Sequence, residues 1–129
     1  MESDWQHSTL RRVTTVMGAG FALQGIGWLV VPQWAAAALG MPLLTDLGRS
    51  TQVGDFAAFF LTLGVSILVG VRPGNGRWLY FPAGMLASAA VCRTLTWAVH
   101  GAAFAALFIT VEVAGSLLLL ASARRVDSR

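Results

Sequence analysis

Four polar side chains interrupt stretches of sequence that are otherwise apolar: Gln24, Asp55, Arg93 and Glu112. A charge at the centre of a membrane-crossing helix costs about 2.5–3.5 kcal/mol even on a lenient insertion scale, so such residues face the bundle interior and pair. Arg93 is the one cation within these stretches, and it has two acids as prospective partners, Asp55 and Glu112. One acid is therefore expected to lack a counter-ion. A carboxyl in that position in a low-dielectric site holds its proton, the preparation a general acid needs. Glu112 is the expected general acid because it lies deeper, whereas Asp55 is close enough to the outer loop for Arg49 to help neutralise it. Arg93, Trp97 and His100 follow one another at i, i+4 and i+7, which puts them on one helix face. The catalytic candidates are thus Glu112, Asp55 and Arg93, with Gln24, Phe59, Trp97 and His100 as substrate-binding candidates. Phe59, Phe60 and Trp97 supply aromatic faces that can shield a developing cation.

The elements that must hold these groups follow from hydropathy. The 129 residues are 56% hydrophobic and only 12% charged, with a mean hydropathy of +0.67. These values lie far from those of soluble domains, and the solvent they imply is lipid. Residues 13–31, 53–71, 78–99 and 102–121 form four stretches long enough to cross a hydrocarbon core of roughly 30 Å. Arg11 and Arg12 ahead of the first stretch, and the alanines after Trp34, also fit a signal peptide, but the apolar region is too long for one. Pro32 ends the first span, and residues 33–40 are too short to span, so they read as a small interfacial helix. Residues 43–50, with Asp46, Gly48 and Arg49, read as an aqueous or headgroup-level loop. Arg72-Pro73-Gly74-Asn75-Gly76-Arg77 is a strong turn signal. The expected fold is an all-α integral membrane four-helix bundle, one domain over residues 1–129, with a short interfacial helix after the first span.

Arginine counting orients it. Arg11, Arg12, Arg72, Arg77, Arg124, Arg125 and Arg129 fall on one side and Arg49 on the other. The positive-inside rule makes the first side cytoplasmic. The expected location is the bacterial cytoplasmic (inner) membrane, multi-pass, with both termini cytoplasmic. Trp28, Trp34 and Trp97 near the outer boundary, with Trp78 and Tyr80 near the inner one, read as an aromatic belt. At about 1.5 Å per residue, Gln24 and Arg93 fall about 10 Å below the outer boundary, Asp55 roughly 3–6 Å and Glu112 roughly 15 Å. The polar groups therefore outline a cavity open outward.

Other chemistries find less support. The net charge of +3 and pI near 10.5 come from arginines at the ends of apolar stretches rather than from one basic patch, which argues against nucleic acid. A single cysteine, Cys92, excludes an intramolecular disulfide and any multi-cysteine metal site. Cys92 reads as a small packing residue on a different face from Arg93. With no second histidine inside a span, neither metal nor haem nor any other cofactor is expected. Gly18, Gly20, Gly25 and Gly27, with Ala83, Ala87 and Ala90, read as small residues that let helices approach.

Pro32-Gln33-Trp34 before a short alanine helix, Gly54-Asp55 opening the second span, Arg93, His100-Gly101 and Glu112 together carry a resemblance. Over residues 13–121 the chain resembles a bacterial family of small four-helix membrane proteins catalogued as a domain of unknown function. The resemblance implies a four-helix fold and no particular activity.

The reading that joins these features is a membrane-embedded acid–base enzyme, of isomerase or cyclase type, acting on a lipophilic small molecule delivered through the bilayer. A non-enzymatic accessory or scaffold subunit is the first alternative, because an Arg–Asp–Glu cluster can simply fix helix positions. A proton-coupled carrier is the second, and would require assembly beyond four helices. So small a bundle is also expected to form homo-oligomers.

Overall fold

The computed structural model describes residues 2–126, with side chains from Ser8 onward, and is all-α over that range. Met1 and Arg129, both assigned above to the cytoplasmic side, lie outside the described residues.

Helix α1 runs Glu2–Val30, well ahead of the expected span start at residue 13. No glycine or proline precedes Gly18, so nothing in the polar N-terminal segment stops the helix. The hydroxyls of Thr14 and Thr15 donate one turn back to the carbonyls of Leu10 and Arg11. Val31 leaves helical geometry ahead of Pro32, whose ring crowds the residue before it. Pro32 then opens the short helix α2, Pro32–Ala38, at the position where its missing N–H costs least. Gly40 follows in the left-handed conformation, with φ +71°.

Helix α3, Asp46–Gly70, corrects the expected loop over residues 43–50. Thr45 is extended and Asp46 occupies the first turn, where a carboxylate meets the positive end of the helix dipole. Gln52, which the sequence reading passed over, fixes this corner. Its Oε1 accepts from the Leu44 N–H at 2.9 Å and its Nε2 donates to the Pro42 carbonyl at 3.1 Å. The side chain is buried, so the strand of chain between α2 and α3 is tied to the helix rather than free.

The expected turn follows α3, with Gly74 at φ +78°, and leads into a 3-10 turn, Gly76–Leu79. Helix α4, Tyr80–His100, begins with Pro82 in its first turn and stops at Gly101, whose φ of +64° is a left-handed cap. Helix α5, Ala106–Val126, starts later than the expected residue 102. Gly101 breaks the helical path, and the ring of Phe104 in the connection packs edge-on against Trp97 with centroids 5.2 Å apart.

Three of these helices contain stretches long and apolar enough to cross a membrane, Ser8–Val30, Asp46–Gly70 and Ala106–Val126. Length and composition thus suggest a membrane protein. Helix α4 is long enough but falls outside this group, because Arg93, Thr94, Thr96 and His100 dilute its apolar character. Large apolar side chains such as Val16, Leu23, Val30 and Leu117 are exposed on the outer faces. Helices apolar on both faces suit a lipid surround better than water.

The helices pair as α1 with α3 and α4 with α5. A Cβ at Gly18 would stand 2.7 Å from Ile67 Cγ2, one at Gly25 2.7 Å from the Leu61 backbone nitrogen, and one at Gly64 would strike the Ala22 backbone. Backbone contact this close is what small residues provide in lipid, where helices gain little from burying apolar surface. Gly20 and Gly27 face open space and Ala87 is exposed, so only part of the expected small-residue set serves the seams. The two pairs meet around Leu63, Ile67, Leu79, Leu86 and Leu119, next to the 3-10 turn. Trp28 is fully buried and stacks on Phe56 with centroids 4.8 Å apart, so it belongs to a second core cluster and not to an aromatic belt.

Candidate functional site

The late start of α5 sets the level of Glu112. Counted from Ala106 it lies about 9 Å along the helix, and Arg93 lies about 10 Å before the end of α4. The two side chains are therefore side by side rather than at different depths. Arg93 Nε donates to Glu112 Oε1 at 2.7 Å, a short charge-assisted bond. Arg93 also lies over the ring of Phe108, 4.8 Å from its centroid. Phe108 and Glu112 are i and i+4 on α5, so one face of that helix gives the guanidinium both a carboxylate and a π surface.

The pair is unequally buried. The Glu112 side chain is 11% exposed and that of Arg93 38%. Glu112 Oε2 is buried and accepts no hydrogen bond among the described residues. The expectation that Glu112 would be the acid without a partner is thereby reversed. Asp55, exposed on α3, has no ion pair and no hydrogen bond among the described residues. Arg49, expected to neutralise it, instead donates from Nε to the Leu44 carbonyl.

Asp55, Arg93 and Glu112 nevertheless line one cavity of about 800 Å³ between the two helix pairs. Gln24 and Phe59 line it as well. Met17 and Leu86 reach it from the packed end, and Ala38 and Leu39 bring α2 to its wall. Phe21, Phe56, Phe60 and Phe108 add four more rings to the wall, beside smaller or aliphatic residues such as Ala89, Leu107 and Val111. Phe56 and Phe59 follow Asp55 at i+1 and i+4, and Phe59 meets Phe60 edge-on at 5.3 Å. The volume falls within the range of small-molecule sites, which combine apolar walls with a few convergent polar groups.

Two expected binding residues are elsewhere. Trp97 is engaged with Phe104, and His100 is the exposed last residue of α4; neither borders the cavity. One turn beyond Arg93, α4 has already passed the cavity rim. Cys92, expected on another face, does line the cavity and is exposed. Phe21, Phe56 and Phe108 were missed, because isolated phenylalanines in an apolar stretch look like lipid-facing or core residues alike. Among the described residues, no group of three or more His, Cys, Asp or Glu is placed to hold a metal ion. No protein family, curated protein or solved structure matches this chain.

Proposed function

We propose that the chain is a four-span membrane bundle that binds a lipophilic small molecule between its helix pairs and isomerises or cyclises it by acid–base chemistry. Helix α4 completes the span count. It has 21 residues, joined to α3 and α5 by short connections, so crossing by its neighbours returns it across the same layer. Its arginine enters at reduced cost because Glu112 and Phe108 receive it. The arginine distribution supports an orientation with the 3-10 turn on the cytoplasmic side of the inner membrane and the cavity toward the outside. With Cys92 replaced by alanine, a cysteine at His100 should react with an impermeant thiol reagent in intact cells and one at Asn75 should not. The opposite labelling pattern would invert the orientation.

The observation that carries the functional reading is the lining of the cavity: a carboxyl without a counter-ion among the described residues, an ion pair at another wall and aromatic faces around them. Asp55 takes the proton-donor role first expected of Glu112. Its proton passes to one carbon of an alkene, the π pair forms the new C–H bond, and the neighbouring carbon becomes cationic. Loss of a proton from an adjacent carbon to the Asp55 carboxylate restores a double bond one position along and restores the acid. In a cyclisation, a second double bond attacks the cation before that proton is lost. Glu112, paired to Arg93, contributes fixed charge and position rather than the moving proton. A dry cluster joining all three charged groups would have favoured a scaffold role; Asp55 standing apart at a cavity wall favours chemistry.

Deuterium uptake tests the reading. Protein in lipid nanodiscs in D₂O, given a panel of isoprenoid alkenes, should yield a product of unchanged connectivity class with a new retention time and one added deuterium. Asp55→Asn should abolish the uptake, and uptake no greater than in empty discs would sink the enzymatic reading.

A further inference from the structure

We infer that the cavity is a receptor for lipophilic organic cations, held by Asp55 and by the phenylalanine rings around it. The inference rests on the reading of this cavity as the ligand site, but it does not require catalysis.

Charge and surface point the same way. The ionisable side chains with acid or arginine character on the lining are Asp55, Arg93 and Glu112. Arg93 and Glu112 neutralise one another at 2.7 Å, so Asp55 in its ionised form, the state left after it gives up its proton, is the net negative charge at a mostly apolar wall. An ion in that setting requires a counter-charge, and none of the described residues supplies one. Phe56 and Phe59 share the cavity with it, with Phe21 and Phe60 continuing the aromatic surface. Phenyl faces attract cations through the ring quadrupole, and the attraction grows when the cation is desolvated. The same cavity already shows the interaction once, between the Arg93 guanidinium and Phe108.

An anionic ligand would meet Asp55 without relief, since the one guanidinium is already paired. A neutral ligand suits only the protonated, donating form of Asp55 and leaves the ionised form without a counter-charge. A cation with an apolar body satisfies both walls, and the volume of about 800 Å³ admits a ligand of several rings. The state also matches the proposed chemistry, in which proton transfer leaves the Asp55 carboxylate facing the carbocation it has made. A permanent cation is a stable copy of that arrangement.

The probes are tetraphenylphosphonium and tetraphenylborate, which share shape and differ in sign. Binding of each is measured by equilibrium dialysis to the full chain in zwitterionic nanodiscs, against empty discs. Saturable binding of tetraphenylphosphonium is expected, with none of tetraphenylborate. Asp55→Asn should weaken it at least tenfold and Asp55→Glu should largely restore it, while Phe59→Leu should weaken it several-fold. Asp55 has no partner among the described residues to lose, so its variants should fold. Equal binding of the two ions, or tetraphenylphosphonium binding unchanged in Asp55→Asn, would overturn the assignment. Absence of saturable binding would overturn it too, and deuterium uptake persisting in that case would leave the isomerase reading standing alone.

Discussion

The two ends of the helix bundle treat polar groups in opposite ways. Near the 3-10 turn, hydroxyls are buried and matched: Ser116 donates to the Ala83 carbonyl at 2.9 Å, and Ser122 lies 2.8 Å from Thr14. Thr14 gives its own hydrogen to the Leu10 carbonyl, so Ser122 is the donor in that contact. Around them Leu63, Ile67, Leu79 and Leu119 are fully buried. At the other end Gln52 is matched at the α2–α3 corner, but Gln24 and three charged residues line a cavity that separates the helix pairs, and one of the acids has no partner among the described residues. The packed end holds the two pairs together, and that lets the other end stay apart. Polar groups with complete hydrogen bonding fix a structure, whereas those with unused capacity beside a void are available to a ligand.

The sharpest way to break this comparison is to remove the charge that the open end does pair. Arg93→Ala leaves the buried Glu112 carboxylate without a counter-ion, and should lower stability by about 3 kcal/mol, the low end for a buried pair because the guanidinium is part-exposed. Glu112→Gln should cost less, since an amide oxygen still accepts from Arg93 Nε. Equilibrium unfolding in mixed micelles compares them, and a larger loss for Glu112→Gln would show that the pair is not what secures this wall.

A smaller effect contrasts packing at the two ends. Leu119→Ala should cost about 2 kcal/mol, the lower part of the range for core truncation because lipid replaces water as the alternative surround. Leu107→Ala, at the cavity and well exposed, should change stability by less than about 0.5 kcal/mol. Similar losses for both would mean that the ends are equally packed.

The smallest expected effect concerns the matched hydroxyls. Ser122→Ala removes one donor but leaves the Thr14 hydrogen with Leu10, so a loss of about 0.6 kcal/mol is expected. A thermal unfolding series on Ser122→Ala and Thr14→Val should show less than additive losses. Full additivity would mean that the two hydroxyls are not coupled across the helices.

Much of the frame was legible because its signals are local. Pro32, the turn at Gly74 and the left-handed Gly101 mark boundaries through backbone geometry that neighbouring residues alone decide. Where competing local signals existed, the reading failed. Asp46, Gly48 and Arg49 look like a loop by composition, yet Asp46 suits a helix start and buried Gln52 ties the corner from within α3. Apolar residues 102–105 continue a hydropathy pattern without continuing the helix, and that shift of the α5 start moved Glu112 to the level of Arg93.

The sequence by itself determined which residues could do chemistry and that they would share helices apolar enough for lipid, because a charge in such a stretch is costly whatever surrounds it. Which acid the arginine would take was decided only in three dimensions. Asp55 and Glu112 are equivalent as charges, and the choice between them depends on helix phase and axial offset across chain segments far apart in sequence. The cavity has the same origin: it exists because close backbone contact at Gly18, Gly25 and Gly64 joins α1 to α3, and the core beside the 3-10 turn joins the pairs at one end alone.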